Sequence, residues 1–192
     1  MGLVLLEGPA APVVSLEEAQ VHLRTENAEE SALVTSLVAA ATAQAEAFCR
    51  RRFVTQRWRA TLDAFPVGAL VLPHPPLVSV EALTYVDRDG VVQTLDETAY
   101  VVRTAETPGE IVPAYGMQWP ATRQVVDAVA VEFTCGYGDA AAVPDSIKRA
   151  VLLIVGTLYA NRESIVTGTI ATELPQSAEW LLGPFRVARF AA

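Results

Sequence analysis

The strongest periodicity in the chain runs from residue 28 to about residue 51, where Leu33, Leu37, Ala41, Ala45 and Phe48 recur at helical spacing and define one apolar face. Ala39, Ala40, Ala43 and Ala47 add helix propensity and leave a smooth surface that another helix can approach closely. A shorter helix is expected just before it. Ser15-Leu16-Glu17-Glu18 sets a hydroxyl at an N-cap with a carboxylate three residues on, so a helix starts there and runs towards Arg24. Asn27-Ala28-Glu29-Glu30 repeats that logic ahead of the long helix. Arg50, Arg51 and Arg52 fall at its end, where positive charge complements unpaired carbonyls.

Past Phe53 the period shortens from helical to alternating, with Trp58, Ala60 and Leu62 on one side and Arg57, Arg59 and Thr61 on the other. Further strands are predicted over 69–72, 79–87, 91–95, 100–103, 110–112 and 128–134. Asp87-Arg88-Asp89-Gly90 is the clearest turn, and a tight hairpin accounts for Asp87 and Asp89 more simply than an acid–base carboxylate pair does. Pro73, Pro75 and Pro76 punctuate the strands. Helical spacing returns at Pro144-Asp145, with Asp145 as the cap and Ile147, Ala150, Val151, Ile154 and Leu158 as a buried stripe. From 150 to 160 the helix is apolar nearly all round, which sets it at the centre of its domain or against a neighbouring subunit. Residues 164–171 read as a loop, and a short helix over 177–182 follows Pro175.

This order gives an α+β fold, a helical core of about four helices interrupted by an antiparallel β lobe. The core takes 15–52 and 144–183, the β insertion 53–135, and a C-terminal tail 184–192; 192 residues suit a single domain.

Composition narrows the function. With 52% hydrophobic and 19% charged residues, the chain is built for burial in a core or against partners. A net charge of -8 opposes the counterion release by which proteins hold a phosphate backbone, and it still permits an acidic ring through which DNA slides without binding. Cys49 and Cys135 are too few and too far apart for a disulfide framework or a zinc site and read as buried thiols. His22 and His74 lack the spacing of a metal-ligand set. Gly136-Tyr137-Gly138-Asp139 lacks the Gly-Lys-Ser/Thr ending of a phosphate loop, and no serine stands in a nucleophile elbow. No cofactor or metal is expected. No stretch reads as a bilayer span and the start lacks the basic region of a secretory signal, so the expectation is a cytoplasmic product without a membrane partner.

The segments SLEEAQVHLR, AAATAQAEAFCRRRFVTQRWRATLDAFP, LPHPPLVSVEALTYVDRDGVVQTLDETAY, WPATR, VEFTCGYGD with VPDSIKRAVLLIVGTLYANRE, and LPQSAEWLLGPFR carry a resemblance. In this order, the chain resembles the head-tail connector (adaptor) proteins of tailed bacteriophages and gene transfer agents, in the variety with a β insertion in a helical core. It departs from that pattern at Cys49 and at Arg50, Arg51 and Arg52. The resemblance implies a non-enzymatic subunit, commonly monomeric alone, that forms a ring, usually dodecameric, under the portal after DNA packaging. Its implied partners are other copies of itself, the portal protein, and a stopper or tail-terminator protein, with DNA passing through the channel without specific binding. Its implied location is the host cytoplasm during assembly and then the virion or particle neck. A neck stopper or tail-completion subunit is the adjacent alternative. A small enzyme or ligand-binding domain in the β lobe is the distant one, and it predicts a deep pocket with converging ionisable groups.

Two sets of residues are candidates for contact. Trp180, Leu181, Leu182, Phe185, Val187 and Phe190, interleaved with Arg186 and Arg189, place much apolar and aromatic surface near the terminus. They are assigned to portal docking, chiefly beyond Gly183; self-packing of Trp180, Leu181 and Leu182 is the alternative. Tyr159, Arg162 and Glu163 close the long helix and are assigned to a subunit boundary, against a solvated helix end. Arg50, Arg51 and Arg52 serve helix-end electrostatics or touch DNA or an acidic portal surface.

Overall fold

A computed structural model of the chain describes residues 1–25, 27–161 and 174–187. It divides into two compact units, Met1–Pro9 with Thr55–Tyr137, and Ala10–Val54 with Gly138–Ala192. The first is β-rich and the second helical, as an α+β fold requires.

The β unit contains Gly2–Glu7 (β1), Gln56–Leu62 (β2), Leu70–Val71 (β3), Leu77–Val86 (β4), Val92–Thr94 (β5), Tyr100–Arg103 (β6), Glu110–Pro113 (β7) and Val129–Cys135 (β8). Five strands form one sheet in the order β1-β2-β8-β4-β5, and three form another in the order β3-β7-β6. The alternation read from the sequence sets the faces. Trp58, Ala60 and Leu62 stand opposite Phe133, Val131 and Val129 on the core side. On the other side Arg57 and Arg59 bracket Glu132 at 3.5 and 2.5 Å. The turn at 87–90 closes the β4–β5 hairpin: the Asp87 carboxylate accepts from the amides of Asp89 and Val91 at 3.0 and 2.9 Å. Gly90 sits at φ 87°, where a Cβ would strike the Arg123 guanidinium.

β1 was not expected from the sequence. Leu3, Val4, Leu5 and Leu6 are consecutive and apolar, so they show no period for a pattern to catch. Pairing with β2, some fifty residues on, makes them a strand.

The helical unit contains Leu16–Leu23 (α1), Ser31–Cys49 (α2), Asp145–Ala160 (α3) and Gln176–Leu182 (α4), with α3 packed against α2 and α4. The capping box at Ser15 forms as expected: its Oγ accepts from Glu18 N at 3.1 Å and its amide donates to the Glu18 carboxylate at 2.7 Å. Two expected caps form differently. Asn27 Oδ1 caps the short 3-10 turn Ala28–Glu30 ahead of α2, accepting from Glu29 N at 3.0 Å, while the Glu30 carboxylate accepts from Thr25 and Tyr159 and α2 itself starts without a side-chain cap. Pro144, not Asp145, holds the cap position of α3, because proline suits the extended backbone there and moves Asp145 into the first turn.

The buried stripe of α2 is Val34, Val38, Ala41, Ala45, Glu46 and Cys49, rotated from the expected face. Leu33 is exposed, while Leu37 and Phe48 are half-buried flanks. Both stripes have helical spacing, and the smaller side chains take the seam because they let the helices pack closely. In α3, Val155 is fully buried and Leu158 only partly so.

Candidate assembly surfaces

The C-terminal segment meets the end of α2 within the helical unit. Arg50 closes α2 in a left-handed conformation at φ 54°, and its amide returns to Ala47 O. The Cys49 carbonyl is then satisfied by the Val187 amide at 3.0 Å, a partner from far along the chain for an unpaired helix-end acceptor. Arg51 Nε donates to Phe185 O at 2.5 Å, and Arg50 Nη1 to Val187 O at 3.5 Å. Arg186 lies over the Phe48 ring at 4.9 Å. Thus Arg50 and Arg51 hold carbonyls of the C-terminal segment, whereas Arg52 pairs with Glu46 at 2.9 Å. No spacing in the sequence joins positions this far apart. Burial pushes the Cys49 thiol up to about 11, offset in part by Arg51 and Arg186, so it remains a neutral packing group.

This arrangement divides the expected docking cluster. Leu182 is fully buried and belongs to the internal core. Phe185 and Val187 are half-buried and Leu181 is a flank, while Arg186 is exposed. Trp180 stands out at 73% exposed, on the opposite side of α4 from the buried Ala178 and Leu182. Arg189 and Phe190 lie outside the described residues, as do Arg162 and Glu163. Tyr159 is engaged within the helical unit: its hydroxyl donates to Glu30 Oε2 at 2.5 Å, and the same oxygen accepts from Thr25 Oγ1 at 3.3 Å.

A second surface runs along α2. Ala32, Leu33, Ser36, Ala39, Ala40, Ala43 and Ala47 are all exposed, and no charged residue occurs from 31 to 45. Its polar groups turn inward on the helix itself: Thr35 Oγ1 donates to Ser31 O at 2.8 Å and Ser36 Oγ to Leu33 O at 2.7 Å. The face therefore offers solvent little but methyl groups. By length and composition alone α2 would cross a bilayer, contrary to the sequence expectation. Its buried stripe, with the Glu46 carboxylate inside it, packs it instead as one helix of the helical unit.

The groove on α1, about 750 Å³ and open, is lined by Glu17, Gln20, Val21, Arg24 and Thr25. It lies in the helical unit, outside the β lobe in which the ligand-binding alternative sets its pocket. His22 packs beside Gly156, and its pKa is lowered first by burial and then by Arg149. His74 packs against Trp58 with ring centroids 4.7 Å apart. The features that stand out are surfaces.

No family model matches the sequence, and no curated protein matches it. Solved structures do. The chain is similar to one in the "Virion of native gene transfer agent (GTA) particle", with TM-score 0.81 and 23% identity over 100% of this chain and 98% of that one. The chain shares its fold with gene transfer agent particle components. A chain in the "Neck of empty GTA particle computed with C6 symmetry" gives TM-score 0.81 and 24% identity over the same shares. One in the "Neck of native GTA particle computed with C12 symmetry" gives 0.73 and 21%, again over 100% of this chain and 98% of that one. The likeness therefore takes in both the β lobe and the helices.

Proposed function

We propose that this chain is a non-enzymatic structural subunit of a particle neck, a head-tail connector that assembles as a ring under a portal and passes DNA through its channel. The observation that carries the reading is the end-to-end fold likeness to chains of gene transfer agent particles and necks, the latter treated with cyclic symmetry. Surface chemistry supports it. An uncharged α2 face and an exposed Trp180 are apolar surfaces of the kind a partner covers. The net charge of -8 favours passage of DNA over binding. Contacts between copies are individually weak and become sufficient when the portal ring gathers the copies and raises their effective concentration.

The deciding experiment mixes the purified chain with the portal of its own particle and measures complex mass. The chain alone is expected to run as a monomer, and with the portal as a ring of defined copy number, seen in the neck by electron microscopy. Absence of a complex, with necks that lack the chain, overturns the reading. Binding to the ring below the portal, without binding to the portal, moves the subunit to the stopper position.

A further inference from the structure

We infer that the two open edges of the five-stranded sheet join between neighbouring copies, β1 of one copy adding alongside β5 of the next. This rests on the ring reading above and specifies one contact that builds the ring.

Among the described residues β1 is an outermost strand, paired only with β2, and all six of its residues are exposed. Leu3, Val4, Leu5 and Leu6 are 38, 54, 48 and 38% exposed. Their register explains why both faces are apolar. Leu3 and Leu5 stand opposite Ala60 and Trp58 and extend the core side past the sheet, while Val4 stands opposite Arg59 on the outer side. Edge strands of monomers are usually guarded by lysine, proline or an inward charge, because unpaired amides and carbonyls recruit any extended segment. β1 carries none of these. Its one charge, Glu7, lies at the end, past the irregularity in pairing between Leu5 and Glu7, and reaches Arg57 at 3.8 Å. The backbone edge from Gly2 to Leu5 thus stays in unbroken register and unguarded.

An edge strand fits one kind of partner, another extended strand. The far edge of the same sheet supplies it. Among the described residues β5 pairs only with β4, its three residues are all exposed, and Val91 and Val92 are 54 and 68% exposed. Every pairing from β1 through β2, β8 and β4 to β5 is antiparallel, so β1 and β5 run in the same direction. A copy rotated about a ring axis, without inversion, presents its β5 to β1 as a parallel pair. Such a head-to-tail contact repeats until the ring closes, whereas β1 against β1 stops at a two-fold dimer. The shortness of β5 keeps the contact weak in solution, as templated assembly requires.

The test is cysteine cross-linking on the portal-assembled ring, since a disulfide forms only between closely placed strands. Val4→Cys is combined in turn with Val92→Cys, Gln93→Cys or Thr94→Cys, and wild type, whose Cys49 and Cys135 are buried, is the control. The expected result is a ladder of covalent multimers from at least one pair and none from wild type. Rings of normal mass that give no ladder from any pair overturn the strand contact and leave the ring reading standing. Covalent dimers from Val4→Cys alone overturn it in favour of β1–β1 pairing. Failure of wild type to form any ring removes both. Independently, Val4→Glu places a carboxylate beside Arg59, which the single copy tolerates, and puts a charge on the open edge. Ring yield is expected to fall by about tenfold or more with the melting temperature unchanged; wild-type yield overturns the proposal.

Discussion

Glu46 holds the only carboxylate in the buried stripe of α2, where it accepts from Arg52 Nη1 and from the Phe53 amide, both at 2.9 Å. Burial raises its pKa above the ordinary 4.5, and those two donors pull it back only in part. A carboxyl whose folded pKa lies above its unfolded one adds stability below the unfolded value and loses that stability as pH rises through the folded value. At neutral pH the charge therefore costs stability. Glu46→Gln keeps an acceptor for Phe53 N without the charge, so thermal unfolding at pH 7 is expected at an equal or higher temperature, with a flatter pH dependence above 4.5. Glu46→Ala strands the buried Phe53 amide and is expected to cost about 1–3 kcal/mol in denaturant unfolding. Asp87 has the opposite sign. Hydrogen bonds from Gln93 and then from the Val91 amide lower its pKa, so its hold on the hairpin is complete above 3.8 and lost as pH falls through the lower folded value. Asp87→Ala should speed amide exchange at Asp89 and Val91 in the turn and leave the β4 amides protected.

At the scale of elements, α4 sets a buried and an exposed side chain within three residues. Leu182 is fully buried, so Leu182→Ala is expected to cost about 2–5 kcal/mol in unfolding. Trp180 is mostly exposed, so Trp180→Ala should shift stability by only about 0.5 kcal/mol while weakening association with the portal. Equal portal affinity for Trp180→Ala and wild type, by titration calorimetry, would remove Trp180 from the docking surface. The α2 face has its own readout. Ala43→Glu sits on the exposed methyl surface and leaves the helix intact, so an effect on ring yield without a change in helical circular dichroism identifies that face as covered in the ring.

For the whole molecule, two mass measurements, on the chain alone and on the chain with the portal, read assembly directly. Raising ionic strength should leave ring yield nearly unchanged if methyl-rich faces and strand edges supply the contacts, because screening weakens exposed charge pairs far more than apolar burial. A steep loss of rings with salt would assign the contacts to charged residues instead.

The alternation of Trp58, Ala60 and Leu62, the capping box at Ser15 and the turn at Gly90 were legible in the sequence, because each depends on neighbours a few residues away. These local rules determined the α+β class, the order of elements and most of their extents. Tertiary structure decided the rest. It chose Val34 and Val38 over Leu33 and Leu37 for the seam of α2, because two stripes of equal spacing differ only in what packs against them. It made a strand of residues 2–7 by supplying β2, and it set Arg50 and Arg51 on carbonyls of the C-terminal segment. Period and propensity act along the chain, whereas burial and hydrogen-bond satisfaction depend on groups that only folding brings together.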